Sequence, residues 1–373
     1  MKRILKILKL VVASVILLIP LTISVNAIEE NIDSYNEEFD FQSIADAIDD
    51  ETAELLAEMG IDEISFEKIF SVSVTKVFNV LFNITKRSLT APLQFLVFAT
   101  GVLILTALFS SFLNSSQTVS VIGNSILALS VAVPVANGVT TAFSVLETLN
   151  VFTTAFAGVF AMLVSASGKV ALGTSYASLA VLSDTLFSAL LTGVSQPAIN
   201  AMCSLGFLSC FDLYKFSEKI SSIVKKLYIT FLGFIGTFFS GIVTLKGVMG
   251  AGVDSLTSRG IRFVVGRTVP VIGGAVSDTY SALVSSLSLI KSTVGIFGIV
   301  TVVLTVFPSL LELVGWVFSL SIIISISELL GASDCVGMFN IFKDALTLLG
   351  ATTVFSAVIF IVSVGVVIFV KGV

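Results

Sequence analysis

Histidine, the commonest proton-transferring side chain in active sites, is absent from this 373-residue chain. Without imidazole there is no Ser-His-Asp or Cys-His activation of a nucleophile, no histidine-bearing metal site and no histidine proton relay. Of the three cysteines, Cys203 and Cys210 lie seven residues apart in one apolar stretch, where they share a helix face but cannot bridge; Cys335 stands alone. All three read as small buried hydrophobes. Gly247, Gly250 and Gly252 do not match the order G-x-G-x-x-G, no strand precedes them, and no Walker lysine motif is present. The chain therefore does not read as an enzyme. No cofactor, metal or nucleic-acid site is expected, and coupling to ATP would require a separate subunit.

Two groups of polar residues remain with chemistry to offer. Asp184 sits in the middle of an apolar segment, the most central of the polar residues Asn124, Asn137, Asp184, Glu312 and Glu328 that fall at or near membrane depth. An ionisable residue there is by default a functional-site candidate, because burial of an unpaired charge at the bilayer centre costs at least about 2.5 kcal/mol. The second group is Arg259, Arg262 and Arg267 with Pro270 and Gly273, in a Gly/Arg-rich segment at 246–293. This segment resembles neither a clean span nor an ordinary polar loop and is expected to be irregular. Such backbone near a membrane must be supported by protein or by a water-filled cavity. Two readings of the arginines stay open: a packed or partner-bound site, and an interfacial loop that binds anionic lipid headgroups.

Composition sets the class of element that must carry these residues. Hydrophobic residues make up 55% of the chain and charged residues 12%, with a mean hydropathy of +1.06. A soluble domain carries roughly 25% charged residues, so the surface of this one is not built for water. Much of the acid is gathered between Glu29 and Glu67, a stretch without Lys or Arg. Ahead of it, Lys2, Arg3, Lys6 and Lys9 precede an apolar run from Leu10 to Val25, and Val25-Asn26-Ala27 offers small residues for cleavage after Ala27. The rival reading is an uncleaved first helix; Pro20 and the abrupt change to Glu29 and Glu30 favour cleavage. Mass measurement of the mature protein is expected to find residues 1–27 removed, and Ala27→Leu to leave them attached. Mature wild-type protein that retains them would remove the simplest support for export of residues 28–89.

Residues 28–89 read as a small exported acidic, amphipathic helical region. Phe41, Ile44, Ile48, Leu55 and Met59 recur at helical spacing with Gly60 as a stop, and Phe66 to Ile84 continue with a second helical face flanked by Lys76, Lys86 and Arg87. The acidic helix serves either as a solvated face or as a docking surface for a basic partner. From residue 90 to 373 the apolar runs reach the roughly 20 residues that span a bilayer. Candidate spans are 92–113, 119–141, 149–167, 174–195, 197–213, 228–245, 294–314, 315–330 and 345–370. Segments 174–213 also read as a hairpin hinged at Pro197. The fold class expected is all-α: a polytopic helical membrane bundle of about six to nine segments with a cleavable signal peptide. Counting every candidate from an outside start puts Lys169, the cluster Lys215 to Lys226 and Lys371 on the cytoplasmic side, but Lys246 and the arginines on the other. Small residues one turn apart, among them Gly233 with Gly236, Gly236 with Gly241 and Gly295 with Gly298, suit close helix packing within the chain or against another subunit.

Arg262-Phe263 followed by Gly266, then Val269-Pro270-Val271-Ile272-Gly273, and later Lys291-Ser292-Thr293-Val294-Gly295, resemble the signature region of the stage III sporulation protein AE family, and the layout of the chain is similar too. The resemblance implies a membrane subunit of a secretion-like, transenvelope channel complex required for endospore development, in the mother-cell membrane that surrounds the forespore. Its implied partners are the other stage III A proteins, one of them similar to a secretion ATPase, and through them a forespore membrane partner, stage II sporulation protein Q. Membrane lipids and further copies of the chain complete the set. No catalytic residues come with the resemblance. The alternative is a stand-alone secondary transporter or permease with a midplane site at Asp184, although only one broken segment is visible where such proteins show two.

Overall fold

The computed structural model describes residues 39–369 apart from 63, 65–67, 70–71, 113–115, 210–213, 269–272 and 331–335. The signal segment and Ala27 lie outside the described residues. Those described are almost wholly helical, with no strand among them. Two short helices, α1 (Phe41–Asp46) and α2 (Asp50–Met59), precede seven longer ones: α3 (Val74–Phe112), α4 (Ser116–Ala166), α5 (Val170–Ser188), α6 (Gln196–Leu208), α7 (Tyr214–Thr268), α8 (Gly273–Leu329) and α9 (Val336–Phe369). Six segments are long and apolar enough to cross a membrane: 75–109, 125–166, 170–208, 216–246, 287–329 and 336–368. The fold is thus an all-α polytopic membrane bundle.

Nine candidate runs become six because runs adjacent in sequence fuse. Runs 119–141 and 149–167 are one helix of 51 residues, and 294–314 and 315–330 belong to one helix of 57 residues. At about 1.5 Å per residue each is more than twice the roughly 30 Å of a hydrocarbon core. Neither Ala142 to Thr148, between the first pair, nor Val314-Gly315, where the second pair abut, contains proline, so backbone hydrogen bonding continues unbroken. Segments 174–213 form no hairpin either. A π-helical turn at Ala189–Ser195 joins α5 to α6 without a break, and Pro197 follows it, its missing N–H removing one backbone bond from the continuous helix. Ser195 at the end of that turn lies 2.6 Å from the Tyr228 hydroxyl, which also pairs with Thr352. Because the Thr352 proton goes to the Leu348 carbonyl at 2.9 Å, Tyr228 donates to Thr352 and Ser195 donates to Tyr228. This chain ties the π turn to α7 and α9.

The acidic N-terminal helices are docked on the bundle. Asp49 accepts a hydrogen bond from Thr52 N at 3.2 Å and starts α2; Gly60, at φ 87°, ends it as expected from sequence. Thr52 is buried and its hydroxyl meets that of Thr305 in α8 at 3.1 Å. Arg87 lies 3.2 Å from Glu51. The boundary expected at residue 89 falls inside α3, which runs without a break from Val74 into the first span.

The core centres on aromatic residues. Phe152, Phe156 and Phe160 form a column on the inner face of α4, met by Tyr176 of α5 and Phe360 of α9 at ring separations of 5.0 to 5.9 Å. Gly295 and Gly298 of α8 lie against it. A Cβ on Gly298 would overlap the Phe156 ring, and one on Gly295 would overlap Ile368. This pair therefore packs helices within the chain. Gly233, Gly236 and Gly241 of α7 differ: with Ser240, Thr244 and Phe355 they line an open groove of about 1010 Å³ along α7 and α9.

Candidate functional site

The segment at 246–293 is helical wherever it is described. Helix α7 continues through Arg259, Arg262 and Arg267 to Thr268, and α8 begins at Gly273. The expected irregularity is absent from the described part of the segment; residues 269–272, with Pro270, lie outside the described residues. Glycines at 247, 250, 252 and 260 did not stop α7, because a glycine inside a helix costs only about 1 kcal/mol and neighbouring packing overrides it. The side chains of Arg259, Arg262 and Arg267 lie outside the described residues as well.

What holds this end of α7 is a residue to which the sequence alone assigns no role. Asp254 is buried, and its two carboxylate oxygens accept hydrogen bonds from Ala171 N at 2.9 Å and Leu172 N at 2.8 Å. Helix α5 has no cap of its own, since Lys169 precedes it without a side-chain hydrogen bond to its first turn. Asp254 supplies that cap from another helix and places a negative charge on the positive end of the α5 dipole. Lys246 adds a second tie, donating to the Ser178 hydroxyl. Lys169 consequently shares an end of the bundle with Lys246 and Asp254, whereas the nine-segment count put Lys169 and Lys246 on opposite sides. The runs 174–195 and 197–213, which lie between the two lysines, form one span through the π turn, and the loss of that crossing reversed their relative parity. Lys225, of the other basic cluster, pairs with Asp344 of α9 at 2.6 Å.

A second unassigned residue, Lys291, lies fully inside α8's packed face at 2% exposure, with its ammonium 3.4 Å from the Val367 carbonyl. Its sequence signal was present in the Lys291-to-Gly295 motif, but nothing local marks it as buried.

Asp184 is half-buried on α5, and Thr154 of α4 approaches its Oδ1 at 3.3 Å, sharing a proton with the Asn150 carbonyl at 2.9 Å. It lies thirteen residues along α5 from the Asp254 contact at Ala171, about 20 Å of helical rise. Asp184 and the Asp254 anchor are separate sites. Glu312 accepts from the Trp316 indole at 3.3 Å, Asn137 is exposed on α4, and Glu328 is exposed near the end of α8. An amide at position 184 still accepts from Thr154, so Asp184→Asn is expected to fold and insert normally while impairing spore formation. Wild-type spore yield would make the carboxylate incidental.

Among the described residues no group of three or more His, Cys, Asp or Glu side chains could hold a metal. The arrangement is a helical membrane bundle tied together by polar contacts between helices, some of them buried. The model of the stage III sporulation protein AE family matches residues 51–371. The chain belongs to that family, and its role is in sporulation. Over 210 residues it is 24% identical to a stage III sporulation protein AE from Bacillus subtilis (strain 168); the match covers 56% of this chain and 52% of that relative, so the aligned region spans about half of the relative's length. No solved structure matches.

Proposed function

We propose that this chain is a membrane subunit of a multiprotein, secretion-like transenvelope channel complex between mother cell and forespore, working with other stage III A proteins and, through them, with a forespore membrane partner. The observation that carries the reading is the groove along α7 and α9. Glycine and hydroxyl residues of α7 line it together with larger apolar side chains, and a Cβ added at Gly233 or Gly241 would meet nothing within 4 Å. Small residues left open on a membrane helix permit the close approach of another helix. The same helix α7 carries the three arginines beyond its apolar span. The setting in which such a subunit works is the mother-cell membrane that surrounds the forespore.

The test is purification from sporulating cells through a tag on this chain. Co-isolation of a fixed set of sporulation membrane proteins is expected. Isolation of the chain alone, with solute uptake in liposomes, would favour the stand-alone transporter. Asp184 beside a π turn is the feature that speaks for that second reading, because π turns and intramembrane carboxylates both concentrate at functional sites. The arginines are tested separately. Lysine preserves attraction to lipid headgroups but not planar, multidentate hydrogen bonding. The triple replacement Arg259→Lys, Arg262→Lys and Arg267→Lys is expected to leave the protein inserted and abundant yet to reduce partner co-isolation and spore yield. Normal values of both would leave lipid anchoring as the better account.

A further inference from the structure

Helix α4 carries an outward face that changes character along its length. At its N-terminal end the exposed side chains are those lipid requires: Ile122, Ile126, Leu129 and Val133. From Asn137 the same exposed stripe turns polar, through Thr140, Thr141, Ser144 and Glu147 to Thr154, while the opposite face stays apolar and buried at Val139, Ala142, Phe143, Leu146 and Leu149. The spacing is that of one helical face. Exposed Val151 interrupts the band before Thr154 and exposed Met162 follows it, so the band lies within one candidate span, residues 125–166. Asp184 of α5 joins it at Thr154. The band bears two carboxylates, and neither α4 nor α5 contains a lysine or arginine. The Thr140 and Thr154 hydroxyls return their protons to carbonyls of α4 itself, so it is the exposed Asn137 amide and Glu147 carboxylate, with half-buried Asp184, that hydrocarbon does not solvate.

We propose that this face, Asn137 to Thr154 of α4 with Asp184 of α5, is the hydrated, electronegative wall of a passage through the membrane domain, selective for cations or cationic hydrophilic solutes. The inference deepens the channel-subunit reading and rests on it. The wall attracts positive charge through Glu147 and Asp184, and its hydroxyls and amide replace part of the hydration of what passes.

The experiment uses the full chain in membranes of sporulating cells, with Cys203, Cys210 and Cys335 replaced by serine and single cysteines introduced at Asn137, Ser144, Leu129 and Val133. Each is exposed to a trimethylammonium methanethiosulfonate, to its sulfonate counterpart, and to a polyethylene-glycol maleimide too large for a narrow passage. Asn137→Cys and Ser144→Cys are expected to react with the small reagents, the cationic one about tenfold faster. Leu129→Cys and Val133→Cys are expected to stay unreactive. Adding Glu147→Gln and Asp184→Asn is expected to abolish the charge preference without abolishing reaction. Failure of positions 137 and 144 to react, as for a face covered by lipid or by a second polar helix, would overturn the proposal. Equal reaction with the large maleimide would overturn it too, by placing the band on an open surface. Loss of co-isolating partners is a separate result: it would refute the complex while leaving this thiol pattern intact.

Discussion

Gly298→Leu is expected to prevent closure of the bundle. The glycine stands where α8 crosses the aromatic column of α4, and even a methyl group at its Cα would overlap the Phe156 ring. That ring cannot step aside, because Phe152, Phe160 and Phe360 hold it on three sides at centroid distances of 5.1 to 5.7 Å. Overpacking a rigid core costs about 1–3 kcal/mol for a small addition, so Gly298→Ala is expected to lose that much and the leucine variant more. The measurement is thermal loss of the monodisperse protein in mild detergent. Gly241→Ala is the control: it faces open space and relieves a glycine in a helix, which is worth roughly 0.5–1 kcal/mol in stability. Phe156→Leu combined with Gly298→Ala is expected to recover part of the loss, since the two changes touch the same contact. Equal stability of the two alanine variants would show that α8 and α4 do not meet at Gly298.

Asp254→Ala is expected to have the next largest effect. It removes both acceptors from the first turn of α5 and leaves the N–H groups of Ala171 and buried Leu172 without partners. Hydrogen bonds to a charged group contribute about 1.5–3 kcal/mol each, and stranding a buried donor adds its desolvation cost, so a loss of at least about 3 kcal/mol is expected. Asp254→Asn keeps one acceptor but loses the charge opposite the helix dipole and is expected to fall between alanine and wild type. Protease sensitivity at the α4–α5 turn is the direct readout. Gly168 makes that turn at φ 77°, directly before the helix start that Asp254 caps. Wild-type resistance in Asp254→Ala would mean that α5 finds its cap elsewhere.

Hydropathy and composition alone dictated an all-α membrane bundle, because long apolar runs can satisfy their backbone only as helices. Gly60 was legible as a helix stop because a left-handed C-terminal cap is a local requirement that glycine meets cheaply. Asp184 was legible as a polar residue in an apolar run because an isolated charge there needs no partner to be noticed. The family was carried by a short motif around Arg262, Pro270 and Lys291, which the family match over residues 51–371 bore out.

Tertiary structure decided the rest. Whether two apolar runs are two spans or one helix depends on what packs beside the junction, and α4 and α8 run straight through theirs. The same continuity through the π turn, from α5 into α6, placed Lys169 at the same end as Lys246. Asp254 caps a helix 83 residues away in sequence, and no local pattern announces an acceptor supplied by another helix. Lys291 became a buried residue only when α9 brought the Val367 carbonyl over it. Likewise, the polar positions of α4 are scattered in sequence and form a face only once the helix is wound and its other side is covered by α8. Local chemistry is written in residue type and spacing; partners distant along the chain are chosen by packing, which the spacing of either partner alone does not encode.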